Sequence, residues 1–170
     1  MAEMFVKFES VPPNLSLKDA LERIENEFEI DSNGCNLTII DKYFLKINDE
    51  NILSVAEELT SWLLKIGINE LTVYSEDMRG KFATTLAEKT KGSVCCSYSA
   101  PFPQIHDRYW IICFDKSIKA VVSVGTSLNG LGKKYCSVNR LSKTDVVRLE
   151  EFIGGELCIK KSGTDSKKGC

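Results

Sequence analysis

The middle of the chain alternates between strand-like and helix-like segments, and this alternation limits the fold more than any other feature. The segments are "NLTIIDKYFL" (36–45), "ENILSVAEELTSWLLKIG" (50–67), "INELTVYS" (68–75), "RGKFATTLAEKTKG" (79–92) and "SVCCSYS" (93–99). The first, third and last are rich in strand-forming residues, whereas the other two repeat apolar residues at helical spacing. This βαβαβ order predicts a core of parallel strands with helices packed on it.

The pattern changes after residue 100. Three strand-like runs, "HDRYWIICFD" (106–115), "KAVVSVGTSL" (119–128) and "KKYCSVNRL" (133–141), are separated by short turns, which predicts a meander or hairpin extension of the sheet. Ser16 with Asp19 and Ser142 with Asp145 are spaced as helix caps, and they predict a first and a last helix. The runs "MFVKFES" and "GGELCIK" suggest a first and a last short strand. The class predicted is α/β.

Composition excludes several kinds of protein. A chain of 170 residues is expected to form one domain, and a net charge of -2 provides no general attraction to nucleic acid or anionic membrane, so phosphate binding would need a local patch. No stretch approaches the roughly 18 apolar residues of a membrane span, and no secretory signal is visible. The seven cysteines form no C-x-x-C pair and there is one histidine. We therefore expect reduced thiols, no metal, no cofactor and a cytoplasmic location.

The single histidine, His106, lies two residues before Arg108. On a strand these two side chains would share a face, which Trp110, Ile112 and Phe114 would continue into the core. A phosphate suits this pair, because the guanidinium binds two oxygens while the imidazole attacks or donates a proton. The alternative is a structural histidine on an edge strand near a surface arginine.

The segment "GTSLNGLGKK" (125–134) is the second candidate. Ser127 and Asn129 lie two residues apart at a strand end, where a hydroxyl and an amide could bind phosphate oxygens, and Lys133 and Lys134 add positive charge. The segment matches neither the P-loop nor the dinucleotide-binding pattern. The alternative is a glycine-rich turn without a ligand.

Together the two segments resemble the half-site of the phospholipase D superfamily, H-x-K-x4-D followed by a G-S-x-N-like element on the next strand. His106-x-Arg108 corresponds to the first element with arginine for lysine, and Gly125-Thr126-Ser127-Leu128-Asn129 to the second with one inserted residue. "HDRYWI", "GTSLNGLGKKY" and "DKYF" are most similar to a variant bacterial branch. The resemblance covers roughly residues 36–153. It implies a phospholipase-D-like mixed β-sheet with helices on both faces. From length and composition we expect one domain (1–160) followed by a disordered polar tail (161–170).

The resemblance also implies a mechanism that needs two histidines, one as nucleophile and one as general acid. One chain has one, so activity would require a homodimer that joins two half-sites. The implied function is a metal-independent phosphodiesterase with a phosphohistidine intermediate on His106. The small size of the chain and the lack of an amphipathic membrane face favour a nuclease over a lipase. The residues expected to hold the phosphate are Arg108, Thr126, Ser127, Asn129, Lys133 and Lys134.

Two departures from the family pattern support a second hypothesis. Cys113 replaces the expected aspartate, which leaves Asp115 or Asp41 as the possible acid, and arginine replaces lysine. The alternative is a catalytically inactive module that binds DNA, RNA or another phosphate ligand, or that assembles with a partner protein. The resemblance associates such a module with bacterial defence or mobile-element systems. Besides Arg108 and the two lysines, Arg140 would then contribute to binding.

Overall fold

A computed structural model describes residues 9–153, which form a seven-stranded mixed sheet with four α-helices. The strands are β1 (Glu9–Val11), β2 (Asn36–Ile40), β3 (Glu70–Tyr74), β4 (Cys95–Ser99), β5 (Tyr109–Phe114), β6 (Ser117–Val124) and β7 (Cys136–Arg140). The helices are α1 (Leu17–Phe28), α2 (Ile52–Lys65), α3 (Lys81–Thr90) and α4 (Lys143–Ile153), with short 3-10 helices at Asp49–Asn51 and Leu128–Gly130. The strand order is β1-β7-β6-β5-β2-β3-β4.

The sheet has a parallel half and an antiparallel half. β2, β3 and β4 are parallel neighbours, as the βαβαβ alternation predicts, while β5, β6, β7 and β1 pair antiparallel. The two halves meet where β2 pairs with β5, and there Ile40 lies opposite Tyr109. The C-terminal end of β2 therefore lies beside the N-terminal end of β5.

Helices cover both faces of the sheet, which confirms the predicted α/β class. Residues of α1, α2 and α3 share one apolar core with alternate residues of the strands, including the fully buried Trp110. On the opposite face, Leu149 and Ile153 of α4 pack with Ile40 and Ile111. The predicted caps of α1 and α4 are also confirmed, since the Ser16 and Ser142 hydroxyls accept the backbone N–H groups three residues later at 3.1 and 3.2 Å.

Two predictions about the strand after residue 105 need correction. The first is that His106 and Arg108 share a strand face. β5 begins at Tyr109, so both residues lie before the strand. Trp110 and Ile112 are buried as predicted, but Phe114 is half exposed, because the pairing of β5 with β6 shifts register between Ile112 and Cys113.

The cysteines are in two states. Cys35, Cys96 and Cys136 are free thiols, as predicted, whereas Cys95 and Cys113 are disulfide-bonded, so the prediction of reduced thiols is wrong for these two. They are not bonded to each other, because β3 and β2 separate their strands by about 14 Å, beyond the reach of a disulfide.

Several predictions fall beyond the part of the chain that the structure describes. They are Cys158 and Cys170, the strand "GGELCIK", the tail 161–170 and the first residues of "MFVKFES", and the domain limits 1–160 stay a prediction. Among residues 9–153, no helix combines the length and the apolar character that crossing a lipid bilayer requires.

Candidate functional site

Arg108 and Asp41 meet where β2 ends and β5 begins. Ile40 pairs with Tyr109 in an antiparallel register, so Asp41, which follows Ile40, comes to lie opposite Arg108, which precedes Tyr109. Both side chains extend from the sheet face that carries Ile39 and Trp110, in keeping with the alternation of side chains along strands. The Arg108 Nε lies 3.5 Å from Asp41 Oδ1. The sheet register therefore creates this ion pair from residues 67 positions apart in the sequence.

Ser127 links the two charges. Its hydroxyl donates to Asp41 Oδ1 at 2.9 Å and accepts a hydrogen bond from Arg108 Nε at 3.0 Å. The Tyr43 N–H donates to the same carboxylate oxygen at 2.9 Å. The proton of the Ser127 hydroxyl is thus directed at Asp41, and the Nε edge of the guanidinium is held in place. We call Asp41, Ser127 and Arg108 the buried cluster.

Asp41 is shielded from solvent, with an exposed fraction of 1%. Burial raises the pKa of its carboxyl group above the ordinary value, and the Tyr43 N–H, Ser127 and Arg108 oppose that rise. Its second oxygen, Oδ2, has no hydrogen-bond partner among the described residues. A carboxyl group in this position cannot contact a ligand from solvent, so its effect on a ligand would act through Arg108.

His106 is exposed and lines an open cleft of about 770 Å³ together with Arg108. The cleft lies between the start of β5, the end of β6 and helix α4, which contributes Asp145, Arg148 and Phe152. Within residues 9–153, the two terminal nitrogens of Arg108 form no hydrogen bond or ion pair, and its side chain is 29% exposed. The Nε of Arg108 is therefore anchored, while its terminal N–H groups have no partner among the described residues and the residue borders the cleft.

The cleft also carries negative charge. The Tyr109 hydroxyl donates to Asp107 Oδ2 at 3.2 Å, and the pKa of Tyr109 is raised by burial and by Asp107 and Asp145. Arg148 lies 3.4 Å from Asp145, and its side chain is 73% exposed. Groups of both charges thus line the cleft, which suits one anionic group at Arg108 better than a continuous run of phosphates.

The structure brings only part of the predicted site together. His106, Arg108 and Gly125 line the cleft, and Ser127 contacts Arg108 from behind. The Asn129 side-chain oxygen is buried without a partner among the described residues, so it faces the interior. Thr126 is half-buried beside it and does not line the cleft.

The remaining candidates lie elsewhere. Lys133 and Lys134 are exposed on the turn before β7, and Arg140 forms an ion pair with Glu29 at 2.9 Å. Asp115 lies in the hairpin after β5, about 20 Å from the cleft by strand length. The possible aspartate substitute therefore occupies the wrong end of β5, whereas Asp41, the other possible acid, belongs to the buried cluster.

Sequence reasoning missed the contribution of α4. Asp145 and Arg148 lie on α4 next to its apolar stripe, and the stripe itself can be seen from the sequence pattern. Which part of the sheet this stripe covers depends on the path of the chain after β7, and no local signal gives that path. Within residues 9–153, no cluster of His, Cys, Asp or Glu could hold a metal ion.

Comparison with known proteins adds little. No family model and no curated protein matches the chain. Among solved structures, the archaeal chromatin protein TrmBL2, whose structure shows a novel mode of DNA binding, matches with a TM-score of 0.42 and 11% identity. The match covers 90% of this chain, which spans 54% of that one. A similarity of this size leaves function to be argued from the site itself.

Proposed function

We propose that the protein is a phospholipase-D-like module that binds one phosphate or phosphodiester group of its ligand at Arg108 in the cleft. The observation that carries this proposal is the state of the guanidinium. Its Nε is fixed by Ser127 and Asp41, its terminal nitrogens have no partner among the described residues, and the residue lines the cleft. A planar guanidinium in this state binds two oxygens of a phosphate without first having to be ordered.

Binding is better supported than catalysis because few of the expected catalytic groups converge. The Ser127 proton is engaged by Asp41, the Asn129 oxygen faces the interior, and Asp115 lies at the other end of β5. One chain also supplies one histidine where the phosphodiesterase mechanism needs two. These arrangements favour holding a phosphate over breaking its ester bond.

The single histidine offers a direct test. In a chain without a histidine tag, His106 gives the only imidazole signals in a proton NMR spectrum. Inorganic phosphate should shift these signals in the wild-type protein, and Arg108→Gln should abolish the shift. Arg148→Gln is the matched control, since it removes a mostly exposed charge, paired with Asp145, from the same cleft and should weaken the response only slightly. An unchanged response in Arg108→Gln would reject the proposal.

A homodimeric, metal-independent nuclease is the second candidate, and the exposure of His106 in the cleft of Arg108 favours it. An imidazole nitrogen of His106 would attack phosphorus and form a phosphohistidine. His106 of the partner subunit would protonate the leaving oxygen as its bond to phosphorus breaks. Water would then attack the phosphohistidine, give its proton to the partner's His106, and release a phosphomonoester and free His106. The wild type should have a dimeric mass in solution. His106→Ala should abolish hydrolysis of a model phosphodiester and of DNA or RNA. Equal hydrolysis by this variant would eliminate the nuclease.

A cytoplasmic location is part of the proposal, and the disulfide bonds of Cys95 and Cys113 count against it. Titration of the free thiols of protein purified without reductant tests this point. All seven thiols should react if the chain is kept reduced in the cell.

A further inference from the structure

The turn that carries Lys133 and Lys134 is rigid and lies outside the cleft. The N–H groups of both lysines donate to the Gly130 carbonyl at 3.1 and 3.0 Å. Gly132 adopts φ +75°, and its carbonyl accepts the Leu15 N–H at 3.1 Å. A Cβ atom at Gly132 would collide with the Leu15 carbonyl oxygen, so this backbone packs directly against the start of α1. The residues that follow are therefore presented in a fixed arrangement.

Charge and an aromatic ring are exposed together on this turn. Lys133 and Lys134 are exposed, and neither forms an ion pair with any described residue. Tyr135 follows them and is 71% exposed, the largest value for a large apolar side chain in the described part of the chain. An exposed ring beside two exposed cations offers a stacking face and positive charge to the same ligand. We call Lys133, Lys134 and Tyr135 the lysine–tyrosine turn.

The chain contains a second group of the same composition, which shows what an internally satisfied version looks like. Lys42 and Lys46 lie 5.4 and 5.0 Å from the centre of the Tyr43 ring, and Glu76 binds the two ammonium groups at 3.4 and 2.6 Å. There the cations are neutralised and they cover the ring. The lysine–tyrosine turn lacks both features among the described residues.

We propose that the lysine–tyrosine turn binds single-stranded nucleic acid, with a base stacked on Tyr135 and the neighbouring phosphates contacted by Lys133 and Lys134. Aromatic rings beside basic groups bind single strands in this way, because every base has a flat face and every linkage a negative charge. A duplex keeps its bases stacked on one another and out of reach of Tyr135. This surface is distinct from the cleft, and its ligand does not depend on the function proposed for Arg108.

The test measures binding of a fluorescently labelled oligothymidylate by anisotropy over a series of salt concentrations. Tyr135→Leu should weaken binding roughly 5- to 100-fold, whereas Tyr135→Phe, which keeps the stacking face, should bind as the wild type does. The double variant Lys133→Gln/Lys134→Gln should lower the slope of log affinity against log salt by about 1.4, because each phosphate contact on a single strand contributes about 0.7. Tyr43→Leu is the matched control and should leave affinity unchanged.

Three results would overturn the proposal: wild-type affinity in Tyr135→Leu, a salt slope unchanged in the double lysine variant, or equal binding of a duplex of the same length. Because Tyr135 is mostly exposed, its variants should unfold at the wild-type denaturant concentration, which separates a binding defect from a folding defect. Arg108→Gln tells the two proposals apart. It should abolish the phosphate response of His106 and leave the effect of Tyr135→Leu on oligonucleotide binding in place.

Discussion

Two charge clusters lie side by side at the end of β2, and they differ in burial. Asp41, in the buried cluster, is 1% exposed and joins Arg108 through Ser127. The next residue, Lys42, belongs to an exposed cluster in which Glu76 bridges Lys42 and Lys46, with side chains 36 to 51% exposed. One residue step along the chain thus separates a charge in the interior from a charge in solvent.

The difference teaches where a charge can control structure. An ion pair in solvent is weakened by water and salt and contributes little to stability. A buried polar group that loses its partner incurs the full cost of its lost hydration. The buried cluster should therefore determine both the stability of the region where β2 ends and β5 begins and the orientation of Arg108. The exposed cluster should determine neither.

The largest effect is expected from Asp41→Ala. This change leaves the Ser127 hydroxyl and the Tyr43 N–H without their common acceptor and Arg108 without its ion-pair partner. It should therefore lower the free energy of unfolding by about 2–3 kcal/mol. Urea unfolding measures it, with Glu76→Ala as the control from the exposed cluster. Similar losses in the two variants would contradict the distinction between the clusters.

Ser127→Ala should have the next largest effect. Arg108 and Asp41 stay 3.5 Å apart, but each loses the hydroxyl that now connects them, and the cost should be about 1–2 kcal/mol. The same variant should weaken the phosphate response of His106, because the guanidinium is less well oriented. A variant with lower stability and an unchanged phosphate response would show that Ser127 does not position Arg108 for a ligand.

The fold was easier to predict from the sequence than the site. The parallel strands β2, β3 and β4 and the capped helices α1 and α4 follow from local periodicity and from Ser–Asp spacing, which are short-range signals. The neighbours of Ser127 in "GTSLN" mark it as a site candidate, yet its partners are Arg108 and Asp41, which only the β2–β5 register brings to it. Asp115 was considered because of its distance from His106 in sequence, but a strand carries it away from the site.

The pH dependence of stability should also distinguish the clusters. Since the pKa of Asp41 is raised in the folded protein above its ordinary value of 3.8, the folded protein holds a proton that the unfolded chain releases between these two values. The stability that this bound proton contributes is fully present below pH 3.8 and is lost as the pH rises through the raised pKa of Asp41. The free energy of unfolding of the wild type, minus that of Asp41→Asn, should therefore fall across this window and then level off. A difference that rises with pH would contradict the raised pKa.

Glu76→Gln should have the smallest effect on stability and the most informative effect on binding. Its partners, Lys42 and Lys46, are solvated with or without it, so its unfolding curve should overlay that of the wild type. The change nevertheless leaves two lysines beside the Tyr43 ring without a counter-charge, which reproduces the condition of Lys133 and Lys134 beside Tyr135. If uncompensated charge is what makes a lysine–tyrosine group bind a single strand, Glu76→Gln should bind oligothymidylate more tightly than the wild type at low salt. Unchanged affinity would mean that accessibility of the ring matters more than charge, because the Tyr43 ring is 41% exposed and that of Tyr135 71%.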